Sequence, residues 1–324
     1  AYGGFYSTHM RTESDGVMEA IEESIAIGRG SGLPVQISHH KVAGVSNWGR
    51  SEATLARLEK ARREGLDVTP DQYPYTASCA RAGTLLPRWV CAGGDAAARA
   101  RLADPATRQR LRAEVVARYA HVYGNDLSRI RIASSSTRPD LVGKTFADIA
   151  AARGARDVYG DMADVAMELA GERPASCDTM CIFHTMDEAD VVRILRDEHT
   201  IVASDGWGVT FGAGHPHPRL YGTFPRVLGR YCREQGLFSL EEAVRRMTAM
   251  PAARLGLRDR GVLRRGAMAD ITVFDPLRVV DRASFDEPHR YAEGIAVVIV
   301  NGTVVLEDGT HTGALPGVFL ERPA

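Results

Sequence analysis

Apolar and polar positions follow two alternating rhythms over the first quarter of the chain. Residues 5–8, 35–38 and 66–75 hold short apolar or β-branched runs, which predict strands. Between them, residues 15–31 and 51–64 carry apolar positions at helical spacing. Asp15 stands at the start of the first helix and Gly residues at its end. Ser51 and Thr54 lie near the start of the second, and Gly65 stops it. Strand, helix, strand, helix, strand, with helices of more than about ten residues, is the signature of a parallel sheet. Short apolar strands fit a sheet covered on both faces. After Ser78 the rhythm breaks. Residues 96–120 are Ala- and Arg-rich and helical around Pro105, residues 130–136 read as a strand, and the stretch of about 80–145 reads as an insertion on a strand-to-helix loop, placed as a lid. Helices resume over 146–171. Residues 181–184 form a short strand, 186–196 a helix, 201–206 another strand and its exit, and 240–255 one amphipathic helix. Past residue 256 the runs at 261–263, 269–274, 295–300 and 303–306 are all short strands, with Asn301-Gly302 a hairpin turn. The pattern predicts an α/β unit over 1–255 and a small all-β unit over 256–324.

Composition adds exclusions. The chain has 324 residues, 44% of them hydrophobic and 25% charged, with a formal net charge of -1. Bulk electrostatics therefore favour neither nucleic acid nor a membrane surface. No apolar run approaches the roughly 20 residues that cross a bilayer, and the first residues read like the interior of a protein rather than a signal peptide. Five Cys are scattered without a CxxC pair, which argues against a disulfide framework or structural zinc and for a reducing cytoplasm. Cys177 and Cys181 have the spacing of one helix face, but small buried residues are the expected reading.

Three of the apolar runs end in residues able to bind metal or move protons: His9, His39 with His40, and Asp205. In a (β/α)8 barrel the carboxyl ends of the strands face the active site. Two His, the commonest metal ligands, and one Asp delivered this way suggest a metal-assisted hydrolase. Successive strand side chains alternate faces, so one of the adjacent His pair points inward; His39 is taken for the site and His40 for a supporting place. Gly206 lets the backbone turn beside Asp205. Lys41, Tyr73, Ser78 and Arg219 are the polar candidates nearby, the two cations being suited to an anionic substrate group. His215 and His217 have the spacing of a zinc pair, but their Pro-rich setting reads as a positioning loop.

These residues also carry a resemblance. Ser7-Thr8-His9-Met10-Arg11, Ser38-His39-His40-Lys41, Asp71-Gln72-Tyr73-Pro74-Tyr75, Ser204-Asp205-Gly206, His217-Pro218-Arg219 and Tyr221 to Arg226 stand in the order found in the D-aminoacylase (N-acyl-D-amino-acid deacylase) family of the amidohydrolase superfamily. Residues 266–276, 298–302 and 309–317 resemble its tail. The match spans the chain apart from the insertion. It implies a metal-dependent (β/α)8 TIM-barrel hydrolase beside a small β-sandwich. His9 and His39 are then zinc ligands, Asp205 the catalytic base and acid, and Lys41, Tyr73, Ser78 and Arg219 the holders of substrate carboxylate and acyl group. The implied reaction is hydrolysis of an N-acyl-D-amino acid, with one or two zinc ions. The family's His-x-His pair and Cys ligand have no counterpart here. The chain is therefore expected to be the C-terminal part of such an enzyme, inactive alone, with the remaining half barrel and zinc ligands upstream of residue 1, in the same polypeptide or a second chain. The competing expectations are a hydantoinase-like cyclic amidase and a non-catalytic partner chain.

Overall fold

The computed structural model describes residues 3–171 and 174–320. Seven strands precede the tail: β1 (Tyr6–Thr8), β2 (Val35–Ile37), β3 (Val68–Gln72), β4 (Ser78–Arg81), β5 (Ile130–Ser134), β6 (Met180–Phe183) and β7 (Ile201–Val202). β1, β2, β3 and β7 form a four-stranded sheet in that order, and every neighbouring pair is parallel. The crossovers are α1 (Val17–Ser31) and α2 (Ser51–Arg63). On α1, Val17, Ala20, Ile21, Ser24, Ile25 and Gly28 are buried, the stripe that a helix lays on a sheet. They meet Val35, Ile37, Leu58 and Val68 in one cluster. Gly28 has to lack a side chain, because a Cβ there would lie 2.4 Å from Val35.

Neither helix is capped as its sequence suggests. Asp15 does not cap α1; its carboxylate accepts from Asn47 at 2.8 Å and meets His121 at 2.8 Å. The start of α2 is capped from outside. Asp190, buried on α7 (Glu188–Arg196), accepts from the Gly49 amide at 2.7 Å, the Ser51 amide at 3.3 Å and the Ser51 hydroxyl.

The segment after Ser78 builds its own layer. β4, β6 and β5 form an antiparallel sheet in that order. Against it lie α3 (Gly94–Ala103), α4 (Pro105–Tyr123), α5 (Phe146–Arg153) and α6 (Val158–Ala170). Leu111, Val115, Tyr119, Phe146, Met162, Val165, Cys181 and Phe183 are all buried in one cluster. The packed unit therefore runs from residue 78 to 183, beyond the boundary near 145 expected for the insertion. Cys177 and Cys181 do not share a helix: Cys181 lies in β6 and Cys177 precedes it, both buried and both thiols.

α8 (Arg219–Arg226) continues as a π-helical stretch, Val227–Glu234. The single helix expected over 240–255 is two, α9 (Leu240–Met247) and α10 (Ala249–Leu255), broken at Thr248. Pro251 explains the break, since it has no N–H for the carbonyl four residues earlier. The tail is an antiparallel sheet of β8 (Ile271–Phe274), β9 (Ile295–Val300), β10 (Thr303–Glu307) and β11 (Thr310–His311), ordered β11-β10-β9-β8. Asn301 and Gly302 turn the β9–β10 hairpin with φ of 47° and 81°, the left-handed pair such a turn requires. Residues 261–263 form no strand. No helix among the described residues is long and apolar enough to cross a membrane.

His184, just past β6, packs against the Phe285 ring at 4.4 Å. Burial, with Arg131 and Arg129 nearby, pushes it down from 6.5 to about 4. The unfolded chain therefore takes up this proton first as pH falls. Stability from His184 is complete above pH 6.5 and declines toward pH 4. Urea unfolding of His184→Phe and the parent between pH 7 and 4.5 checks this: the stability difference should move steadily in the variant's favour on acidification, and a constant difference would contradict it.

Candidate active site

In an open parallel sheet the carboxyl ends of the strands are where ligands bind. The register pairs Thr8 with Ile37, so the residues after β1 and β2 leave the sheet side by side. His9 Nδ1 and His39 Nε2 stand 2.7 Å apart, with ring centroids 4.6 Å apart at 69°. His39 has a φ of 41°, a left-handed backbone that costs a non-glycine residue about 1 kcal/mol or more. Both of its peptide groups are held there. The Asp71 carboxylate accepts the His39 amide at 2.6 Å, and the Lys41 ammonium donates to the His39 carbonyl at 2.8 Å. Gln36 in turn donates to Asp71 at 2.7 Å. His40 turns the other way, is fully buried, and meets the Thr54 hydroxyl at 3.0 Å, so one member of the pair faces the site.

Glu13 has no signature in the sequence, yet it sits at the centre. Its Oε1 is 2.5 Å from Lys41 Nζ and 2.8 Å from His39 Nδ1, and its side chain is 13% exposed. Burial raises a carboxyl in such a place, but the Lys41 charge and the hydrogen bonds from His39 and Lys41 outweigh it and hold Glu13 at about 2. Lys41 is lowered by its own burial, against the attraction of Glu13.

Asp205 follows β7, with a φ of 48°. Its Oδ2 lies 2.8 Å from Arg219 Nη1 at the first position of α8, whose side chain is 2% exposed against 39% for Asp205. The Arg219 guanidinium also covers the Tyr73 ring at 4.6 Å and faces Trp207 at 5.5 Å. His217 sets the helix start. Its Nε2 donates to the Ala77 carbonyl at 2.8 Å, which leaves Nδ1 to accept the Arg219 amide at 3.1 Å. Burial, then the Arg219 charge, lowers His217 far below the usual range, so it stays neutral. His215 bonds elsewhere, to the Phe285 carbonyl at 2.6 Å. The zinc-like spacing of 215 and 217 is thus two separate structural histidines.

Lys41 lies 5.5 Å from the Tyr73 ring. Burial is the main influence on His9, which it lowers; Glu13 and Asp205 pull the other way. The charge of the Asp205 carboxylate raises both His9 and Lys41. Ser78 opens β4 opposite Phe183, one residue from the Ala77 carbonyl that His217 holds. Two buried donors, the Tyr73 hydroxyl and Arg219 Nε, have no hydrogen-bond partner among the described residues. A hollow of about 290 Å³ lined by Ser204, Trp207, Arg219 and Tyr221 opens beside them.

His9, Glu13 and His39 form a group whose ligand atoms all lie within 4.8 Å of one another. Two imidazole nitrogens facing each other suit zinc. Tetrahedral ligands at 2.0–2.1 Å stand about 3.4 Å apart, so the rings would separate by some tenths of an ångström to take the ion. The pair fits as part of a ligand set.

Known proteins resemble this chain in sequence and in fold. The amidohydrolase family pattern matches residues 193–306. D-aminoacylase of Alcaligenes xylosoxydans xylosoxydans is 40% identical over 326 residues, covering 100% of this chain and 56% of that protein. The crystal structure of a D-aminoacylase, described as defining a subset of amidohydrolases, superposes with a TM-score of 0.74 at 39% identity, covering 96% of this chain and 55% of the other. The chain is a homologue of D-aminoacylase. A further solved relative, N-acyl-D-glutamate deacylase from Bordetella bronchiseptica in complex with zinc and a phosphonate mimic of the tetrahedral intermediate, has a TM-score of 0.72 at 38% identity, over 94% of this chain and 54% of that one. The chain thus spans just over half the length of the relatives it matches. Its homologues are metal-dependent amidohydrolases, and the fold it shares with them is mixed α/β with separate sheets.

Proposed function

We propose that the chain serves zinc-dependent hydrolysis of the amide bond of N-acyl-D-amino acids, giving a carboxylate and a free D-amino acid. Because the chain covers 56% of the D-aminoacylase relative, the reaction is proposed for the whole protein. The chain's share is His9 and His39 as metal ligands, Asp205 as the proton carrier, and Lys41, Tyr73, Ser78 and Arg219 around the substrate. The parallel strands β1, β2, β3 and β7 are proposed to be part of a (β/α)8 barrel, and the tail sheet part of a small β-sandwich. The observation that carries the reading is that two facing imidazoles and an Arg-held carboxylate each follow the carboxyl end of a strand in one parallel sheet.

The roles follow from the contacts. His9 Nδ1 and His39 Nε2 would hold the ion, which supplies Lewis-acid chemistry at the amide carbonyl and toward water. Asp205 Oδ2 is engaged by Arg219, so Oδ1 is the oxygen that takes a proton from water and returns it to the amide nitrogen. Burial of a donor without a partner costs roughly 1–3 kcal/mol. The Tyr73 hydroxyl and Arg219 Nε are in that condition, and a substrate carboxylate or acyl oxygen would satisfy them. Lys41, already paired with Glu13, contributes charge more than a free donor.

A panel of N-acyl-D-amino acids, their L-enantiomers and a hydantoin, assayed with added zinc, tests the reading. Turnover of the N-acyl-D-amino acids alone is expected. Turnover confined to the hydantoin would replace the deacylase reading with that of a cyclic amidase.

A further inference from the structure

We infer that Glu13 is a positioning residue: it keeps the His39 proton on Nδ1, so that the Nε2 lone pair faces His9 and a divalent cation. The inference rests on the proposed metal role of His39. It also separates Glu13 from the ligands among which its proximity would place it.

The ring geometry makes the case. His39 Nδ1 lies 2.8 Å from Glu13 Oε1, and His39 Nε2 lies 2.7 Å from His9 Nδ1. The two nitrogens of one imidazole point away from each other, and the bond made at one fixes what the other can do. A carboxylate facing Nδ1 therefore does not share an ion that sits between Nε2 and His9. Glu13 acts through His39, in the carboxylate–histidine–metal pattern that orients a ligand ring and raises its basicity.

Lys41 is the rival. Its Nζ is 2.7 Å from His39 Nδ1, and an ammonium has only donors. Were Lys41 to donate there, the ring proton would sit on Nε2 and the lone pair would be lost to the ion. Two contacts favour Glu13. Lys41 already has two oxygen acceptors, Glu13 Oε1 at 2.5 Å and the His39 carbonyl at 2.8 Å, which satisfy most of its donors. Glu13 Oε1 has a second lone pair, and His39 Nδ1 stands 2.8 Å from it, within reach of an Nδ1–H. Glu13 also lies four residues after His9, in the same turn, so one short loop sets both rings.

The test uses the full chain, metal-free, with ¹⁵N-labelled histidine at alkaline pH. The ring shifts of His39 distinguish the tautomers, and the parent should show the proton on Nδ1. Glu13→Gln strands the Lys41 ammonium and can fail to fold, so Glu13→Gln combined with Lys41→Met is the working variant. It should show both tautomers. Its zinc affinity, from chelator competition, should fall about 10- to 100-fold, with the number of first-sphere oxygens seen by X-ray absorption unchanged. A parent with the proton on Nε2, an unaltered tautomer in the double variant, or loss of one oxygen ligand from the zinc on replacing Glu13 would each overturn the inference. Absence of zinc binding by the parent would remove the metal role of His39 instead, and the metal-free spectra would still decide the tautomer.

Discussion

In the whole protein, Asp205→Asn is expected to fold and take up zinc like the parent while deacylation falls about 10²- to 10⁴-fold, the range that a positioned acid or base contributes. The side chain is 39% exposed and its partner is a single Arg, so the fold depends little on it. Asparagine keeps the size and an acceptor for Arg219 but has no site that takes a proton at neutral pH. The loss should therefore fall on kcat. If Asp205 served only to hold Arg219, KM for the substrate would rise and kcat would survive. Steady-state kinetics with zinc analysis on the same preparation separates these results, and full activity in the variant would remove Asp205 from the reaction.

Lys41→Met is expected to destabilise the protein by about 3–5 kcal/mol, as when one partner of a buried ion pair is removed. Lys41 is 7% and Glu13 13% exposed, and each is the other's counter-ion. Methionine fills the space of the stem and leaves the Glu13 charge among buried groups, and it also drops the bond that holds the left-handed His39 carbonyl. Adding Glu13→Gln should restore much of the loss, because neither charge is then buried. That recovery is the pairwise coupling a double-mutant cycle reads. Denaturant unfolding of the four proteins measures it. If Lys41 served only as a substrate contact, the single variant would keep its stability and lose affinity alone.

The first half of the sheet was legible because its signals are local. Apolar runs at β1, β2 and β3, separated by helical stripes on α1 and α2, follow from side-chain period, and the chemistry of His9, His39 and Asp205 stood at the ends of such runs. The rest depended on distant partners. Glu13 and Asp71 matter through the groups they hold, and nothing in their own neighbourhoods marks them. The cap of α2 comes from Asp190, which no reading of the turn around Ser51 would find. The left-handed backbones at His39 and Asp205 break a local rule, and local rules are all that a single sequence states. α5, α6 and β6 look like barrel elements, and only the core they bury into groups them with α4 and β5. The break between α9 and α10 was written in Pro251, but the amphipathic period runs across it.

The closed core between residues 78 and 183 bears on how such a chain can evolve. Leu111, Tyr119, Phe146, Met162 and Phe183 bury one another rather than the residues beneath the strand ends. Drift in that module is registered first within its own interior. The segments around it feel it through contacts such as Arg131 to His215 and the packing of Ala133 and Ile182 on Ala77, whose carbonyl holds His217. A lineage can therefore recast this module while Asp205 and the facing imidazoles of His9 and His39 stay as they are.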